Sequence, residues 1–253
     1  MRAAMPGPLI LLCNDDGFRA DGIAVLRSAF DAMGEVVICA PEVQQSAASH
    51  SLSIHRPLRI TGHGPGVYSV DGTPADCVYV ALHAGERVLC RRPDLVVSGL
   101  NDGVNLGADA FYSGTVAAAR EAALRGVPAL AVSAAKGADL EAAARVSVRL
   151  ARAVLGVADR PALLLNVNFP PGRDWPVRAT RQGQRVYTEG LEFRRDPRGN
   201  EYLWIGGPGA RHPPSNGSDT EAFDEGVVGV TPLVLDSWDS ELQPLAEEIV
   251  SRL

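Results

Sequence analysis

Several familiar signals are missing from this chain, and each absence removes a class of function. Only four of its 253 residues are cysteine and 6% are aromatic. Cys13, Cys39, Cys77 and Cys90 show no Cys-x-x-Cys spacing and lie in or beside apolar runs, so all four are expected to be buried and reduced, as in a cytoplasmic protein. No block of lysine or arginine appears. With 24 basic residues against 30 acidic ones the net charge is −6, which argues against a nucleic-acid polymer as partner. No apolar run approaches the ~18–20 residues that a membrane helix needs, and the run from Leu9 to Cys13 meets Asp15 and Asp16 too soon for a secretion signal. The expectation is a soluble, cytoplasmic chain without a membrane partner. Also absent are Gly-x-Gly-x-x-Gly after the first apolar run, Gly-x-x-x-x-Gly-Lys-Ser/Thr, Gly-x-Ser-x-Gly and His-Glu-x-x-His. Dinucleotide oxidoreductases, P-loop enzymes, serine hydrolases and zinc proteases lose their support accordingly.

What is present is a globular composition, 46% hydrophobic and 21% charged with 18 scattered prolines. Short continuous apolar runs, at Leu9 to Cys13, Val36 to Ala40, Leu95 to Val97, Ala129 to Val132 and Leu163 to Val167, alternate with helical periodicity at Gly22 to Met33, Pro74 to Leu82, Thr115 to Arg125 and Leu140 to Leu155. Uninterrupted apolar strands are buried on both faces, the mark of a parallel sheet. The alternation predicts an α/β fold, a Rossmann-like doubly wound, mostly parallel sheet in three α/β/α layers. Pro57 to Ile60 and Val67 to Val70 are further short strand candidates. The catalytic core is placed in residues 1–170. Residues 171–253 are read as a β-rich arm or hairpin, with candidates at Val186 to Thr188 and Tyr202 to Ile205, and a final strand and helix that complete the same domain. Its arginines, Arg178, Arg181, Arg185, Arg194, Arg195 and Arg198, are expected on a solvated or intersubunit surface.

The polar residues gather after the strands. Asn14-Asp15-Asp16-Gly17 follows the first, Gln44 to Ser51 the second, and Ser98 to Gly107 the strand that ends near Val97. In an open α/β sheet the carboxyl ends of the strands are where ligands bind. Together the three loops offer two carboxylates, a hydroxyl and a side-chain amide oxygen, hard donors that suit Mg²⁺, Mn²⁺ or Ca²⁺ better than zinc. Beside them a helix begins near Ser113-Gly114-Thr115, and its unpaired N–H groups suit a phosphate. Phosphate monoesters need accelerations up to ~10²¹, whereas a positioned acid or base supplies only ~10²–10⁴. A cation that neutralises phosphoryl charge is the missing contribution. His50 lies in the second loop, either as a surface or capping residue or as a proton donor or substrate contact.

Ordered along nearly the whole chain, these stretches resemble the stationary-phase survival protein SurE family: Asn14-Asp15-Asp16-Gly17, Ala40-Pro41 leading to Ser46, Asp71 to Val78, Pro93 to Asn101, Asn105-Leu106-Gly107 and Tyr112 to Ala119, with weaker echoes at Leu165 to Asn168, Thr180 to Gly183 and Val230 to Leu233. The resemblance implies a metal-dependent nucleotidase acting on nucleoside 5′- and often 3′-monophosphates, with short polyphosphate as a further substrate. It implies one divalent cation per subunit, Mg²⁺ or Mn²⁺ with Ca²⁺ as an occupant, on Asp15, Asp16, Ser46 and Asn101, the two aspartates being also catalytic. Asn14, Asn105, Ser113, Gly114 and Thr115 are assigned to phosphate. A homodimer or homotetramer built through the arm is implied as well. Departures from the family pattern are Asp21 for proline, Ala47 for glycine, His50 where asparagine is frequent, Asp102 as an added carboxylate, and Gly217-Ser218-Asp219 for Gly-Thr-Asp. Two other classes compete: a nucleotide- or metal-sensing module without turnover, and a metal-dependent amide hydrolase, which the absence of a histidine pair disfavours.

Overall fold

Five apolar residues in a row, Leu9–Cys13, form strand β1, and all five are buried. The computed structural model describes residues 7–158, 162–187, 190–205 and 209–252. Helix α1 (Asp21–Phe30) leads to β2 (Glu35–Pro41), and an edge pair, β3 (Ile60–Gly62) and β4 (Val67–Val70), precedes α2 (Pro74–His83). Thr73 caps α2 in a capping box with Asp76, and Pro74 occupies the first turn, where its missing N–H costs nothing. Next come β5 (Leu95–Asp102), a short α3 (Asp109–Tyr112), α4 (Gly114–Leu124), β6 (Ala129–Ala134), α5 (Leu140–Gly156) and β7 (Leu164–Phe169).

Among the described residues the main sheet has nine strands in the order β3-β4-β2-β1-β5-β6-β7-β13-β8. The block from β4 to β7 is parallel throughout. Helices α1 and α5 pack together on one face, α2 and α4 on the other, which gives the three-layer, doubly wound α/β fold that the alternation predicts. Helix α4 is buried almost all round, as its alanine-rich sequence requires, whereas α5 shows one apolar stripe. The chain leaves β1 toward β2 on one side and later returns to β5 on the other, so the order reverses between β1 and β5. At such a reversal the two connecting loops diverge and leave a crevice. Pairing Cys13 with Ser98 sets the end of β1 four residues short of the end of β5.

Beyond β7 the chain adds β8 (Val177–Ala179), β9 (Val186–Tyr187), a hairpin of β10 (Leu191–Arg195) and β11 (Glu201–Ile205), β12 (Ala210–Arg211), α6 (Asp219–Asp224), β13 (Val228–Pro232) and α7 (Gln243–Val250). Strand β13 runs antiparallel to β7, and β8 lies parallel to β13, so both extend the main sheet. The β10–β11 hairpin and the β9–β12 pair stand apart as two-stranded sheets. No helix among the described residues is long and apolar enough to cross a membrane.

Three expectations need correction or limits. Cys90 is exposed while Cys13, Cys39 and Cys77 are buried; it sits in the surface connection after α2, where its thiol lies 3.8 Å from a Glu35 carboxylate oxygen. The strand expected over Pro57 to Ile60 begins only at Ile60, because proline lacks the N–H a ladder needs and the Arg59 N–H is taken by the Asp71 side chain at 2.7 Å. Strand β9 covers Val186–Tyr187, and Thr188 lies outside the described residues.

Candidate active site

The loop after β1 is shaped by Asn14. Its side-chain amide donates to the Gly17 carbonyl at 2.9 Å and its amide oxygen accepts the Gly17 N–H at 3.1 Å. Gly17 has φ +101°, a conformation that favours glycine. Fully buried and doubly engaged, Asn14 holds the turn that presents the two aspartates.

Asp15 is 6% exposed. Burial pushes its carboxyl up to about 6, the Thr115 hydroxyl bonded to it acts downward, and the neighbouring Asp16 charge acts upward. Thr115 thus spends its hydroxyl on the Asp15 carboxylate, and its backbone N–H is directed there too. Gly114 explains how the start of α4 comes so close: a Cβ at this position would stand 2.9 Å from Asp15 Cβ and 3.0 Å from Pro74 Cγ. Ser113 caps α4, accepting the Val116 N–H at 3.1 Å and keeping its own hydroxyl proton for another partner.

Asp16 is half-buried, its oxygens approached by the Gln44 amide at 3.4 Å and the Asp102 N–H at 3.3 Å. Asn101 donates its amide to the Gly103 carbonyl at 2.9 Å, which leaves the side-chain oxygen available. Ser46 is exposed on the loop after β2. Asp15, Asp16, Ser46, Asn101, Asn105 and Ser113 all line one cleft of about 500 Å³, together with Asp102, Asp109, Tyr112 and Tyr187. Asn14, Gly114 and Thr115 stand behind it. A second cleft of about 510 Å³ shares Asp16, Asn101 and Asp102 and is lined also by Asp21 and Lys136.

Asn105 is held from below by residues that were not singled out as site residues in the sequence. Its amide donates to Ser133 at 2.8 Å, its N–H to Asn168 at 2.7 Å, and its carbonyl accepts from Asn166 and Asn168. Gly107 is gripped on both sides, its N–H by Asp219 at 3.0 Å and its carbonyl by Gln182 at 2.6 Å. Asp219, 1% exposed, also accepts the Gly183 N–H at 2.7 Å, so the C-terminal segment braces the loop after β5. The available signal was polarity in the wrong place: Asn166 and Asn168 alternate within an apolar strand and so share one face of the sheet.

Arg185 corrects the surface reading of the arm's arginines. Its side chain is 20% exposed and pairs with Asp109 at 2.7 Å, and Tyr187 donates its hydroxyl to the same carboxylate at 2.7 Å. Burial, with that hydrogen bond to Asp109, pushes the Tyr187 phenol up to about 12. The arm therefore reaches the rim of the cleft, because β9 folds back over α3.

The family model described as "Survival protein SurE" matches residues 10–189. This chain belongs to the SurE family. It is 62% identical over 250 residues to the 5′-nucleotidase SurE of Sorangium cellulosum, which spans 97% of each chain. It is 50% identical over 244 residues to the 5′-nucleotidase SurE of an Anaeromyxobacter species, across 93% of this chain and 94% of the relative. The crystal structure of the SurE protein from Aquifex aeolicus matches with a TM-score of 0.84 at 37% identity, over 96% of this chain and 100% of that one. Asp15, Asp16, Ser46 and Asn101, the set that the family resemblance implies for a cation, come from the loop after β1, the loop after β2 and the end of β5, and line this one cleft.

Proposed function

We propose that this SurE-family chain is a metal-dependent phosphomonoesterase that hydrolyses nucleoside 5′-monophosphates to nucleoside and phosphate. The observation that carries the reading is the meeting of two carboxylates, a hydroxyl and an amide oxygen in one cleft beside the start of α4. Nucleoside 3′-monophosphates and short polyphosphate are further substrates to test.

The donor chemistry fits a hard divalent cation, Mg²⁺ or Mn²⁺ with Ca²⁺ as a possible occupant, held by Asp15, Asp16, Ser46 Oγ and Asn101 Oδ1. Among the described residues no group of three or more His, Cys, Asp or Glu side chains is placed to hold a metal. Bound there, the ion supplies charge neutralisation for the phosphoryl oxygens and acidifies a nearby water. The two aspartates offset the ion's charge, so an incoming phosphate meets no excess of negative charge. One of the two aspartates also accepts a proton from the attacking water. The Ser113 hydroxyl can donate to a phosphate oxygen while its own oxygen caps α4. Gly114 and Thr115 hold Asp15 against the helix start, and Asn14 and Asn105 shape the two loops. The rings of Tyr112 and Tyr187 are the aromatic surface offered to a base on this cleft.

The test is phosphate release from a panel of 5′- and 3′-nucleoside monophosphates with Mn²⁺ or Mg²⁺, and again with excess chelator. Release should need the ion and disappear in Asp16→Asn with the fold retained. Nucleotide that binds and is recovered unchanged would replace the enzyme reading with that of a sensing module.

A further inference from the structure

The loop that carries Ser46 is held in a conformation its own residues disfavour. Ala47 and Ser49 have φ of +56° and +51°, and they are the only non-glycine residues with positive φ among those described. Such a conformation persists where surrounding contacts over-determine it. Here the contacts come from two directions. The Gln45 N–H donates to the Asp15 carbonyl at 2.7 Å, and Ser49 donates its N–H to Tyr112 and its hydroxyl to Phe111, at 3.0 and 2.7 Å.

Gln44 on Asp16 at 3.4 Å and the Thr73 hydroxyl on the Ser51 carbonyl at 2.7 Å hold the loop as well, and a further tether is His50. Its Nε2 lies 2.8 Å from Oε2 of Glu121, a side chain only 2% exposed in the middle of α4. The other oxygen of Glu121 accepts from Arg125 Nε at 2.9 Å. Burial acts upward on the Glu121 carboxyl, but the hydrogen bonds from His50 and Arg125 prevail and hold it below its ordinary value. It is a carboxylate, so His50 Nε2 is the donor. Helix α4 thus touches both halves of the ligand set. Its first turn grips Asp15 through Thr115, and six residues further along it grips the Ser46 loop through Glu121.

We propose that His50, paired with the buried Glu121, is a positioning residue that fixes the Ser46 hydroxyl relative to Asp15 and thereby sets the affinity of the cleft for its divalent cation. The inference rests on the metal-site reading above. Residues that orient metal ligands typically contribute 10–100-fold in affinity. Among the described residues the Ser46 side chain has no hydrogen-bond partner, so its place depends on the loop.

The experiment measures Mn²⁺ affinity of the full-length protein without nucleotide, by the electron paramagnetic resonance signal of free Mn²⁺. Melting in chelator is recorded in parallel. His50→Ala should weaken Mn²⁺ binding by about tenfold or more, and Ser49→Ala, which removes a second tether, should act in the same direction. His50→Gln places an amide nitrogen near the position of Nε2 and should restore most of the affinity. A purely structural role would lower the melting temperature of His50→Ala and leave its Mn²⁺ affinity native, and that result overturns the proposal. So does a His50→Gln variant that folds and binds as weakly as His50→Ala. Should His50→Ala not fold, Ser49→Ala and His50→Gln decide between the outcomes. A native protein that binds no Mn²⁺ overturns the metal-site reading itself, and the proposal with it.

Discussion

Replacing Asp15 by asparagine should stabilise the metal-free protein while removing its activity. The Asp15 carboxyl is raised from 3.8 to about 6, first by burial and further by the Asp16 charge, against the opposing hydrogen bond from Thr115. Because the folded-state value lies above the unfolded one, the folded chain retains a proton that the unfolded chain releases between these limits. Stability therefore falls as pH rises from about 4 to about 6, and stays lowered above that. At ~1.4 kcal/mol per pH unit the penalty at neutral pH is about 3 kcal/mol. Asparagine removes the charge and keeps an oxygen for the Thr115 hydroxyl. In a chain of this size ~1 kcal/mol moves the melting temperature by roughly 2–4 °C, so in chelator at pH 8 the variant should melt up to roughly 6–12 °C above the native protein. The assay is thermal denaturation of both proteins from pH 4 to 8, with chelator and again with Mn²⁺. Other titrating groups are common to both proteins and cancel in the difference. That difference should shrink toward zero at pH 4, and saturating Mn²⁺ should reduce or reverse it, since occupancy at 100 times Kd adds ~2.7 kcal/mol to the protein that retains the site. A variant no more stable than native in chelator at pH 8, or a gain that does not decline on acidification, would refute this account of Asp15.

Three further expectations follow from the packing. Gly114→Ala places a Cβ within 2.9 Å of Asp15 and 3.0 Å of Pro74, so it should cost about 1–3 kcal/mol in denaturant titration and lower kcat more than KM. Asp219→Ala removes the acceptor shared by the Gly107 and Gly183 N–H groups; a loss of about 2–4 kcal/mol and slower turnover are expected, although Asp219 touches no substrate in the proposed reading. The β10–β11 hairpin exposes Leu191, Phe193, Leu203, Trp204 and Ile205, and such an apolar surface favours self-association. Light scattering should show a homodimer or homotetramer, and a clean monomer at micromolar concentration would contradict that.

Uninterrupted apolar runs specify buried parallel strands because a strand covered on both faces has no polar side to show, and this made β1, β2, β5, β6 and β7 readable from the residues alone. The place of the cleft was legible for a related reason. Polar residues crowd at the ends of the apolar strands, and Asp15, Asp16, Ser46 and Asn101, which the family resemblance picks out as a set, line one cleft. Roles within the cluster were another matter. Asn14 and Thr115 look from their types like phosphate contacts, yet one is consumed by Gly17 and the other by Asp15. Which partner a hydrogen-bonding group takes depends on groups brought near it from distant positions, and spacing along the chain carries no record of them. The same holds for Asp219 beneath Gly107, for Glu121 behind His50 and for Arg185 on the rim. Local patterns of burial and polarity are enough to dictate strands, helices and the edge of the sheet where a ligand binds. The division of labour at that edge is set by long-range contacts across 70 or 100 positions of sequence, and these exist only once the sheet has brought its loops together.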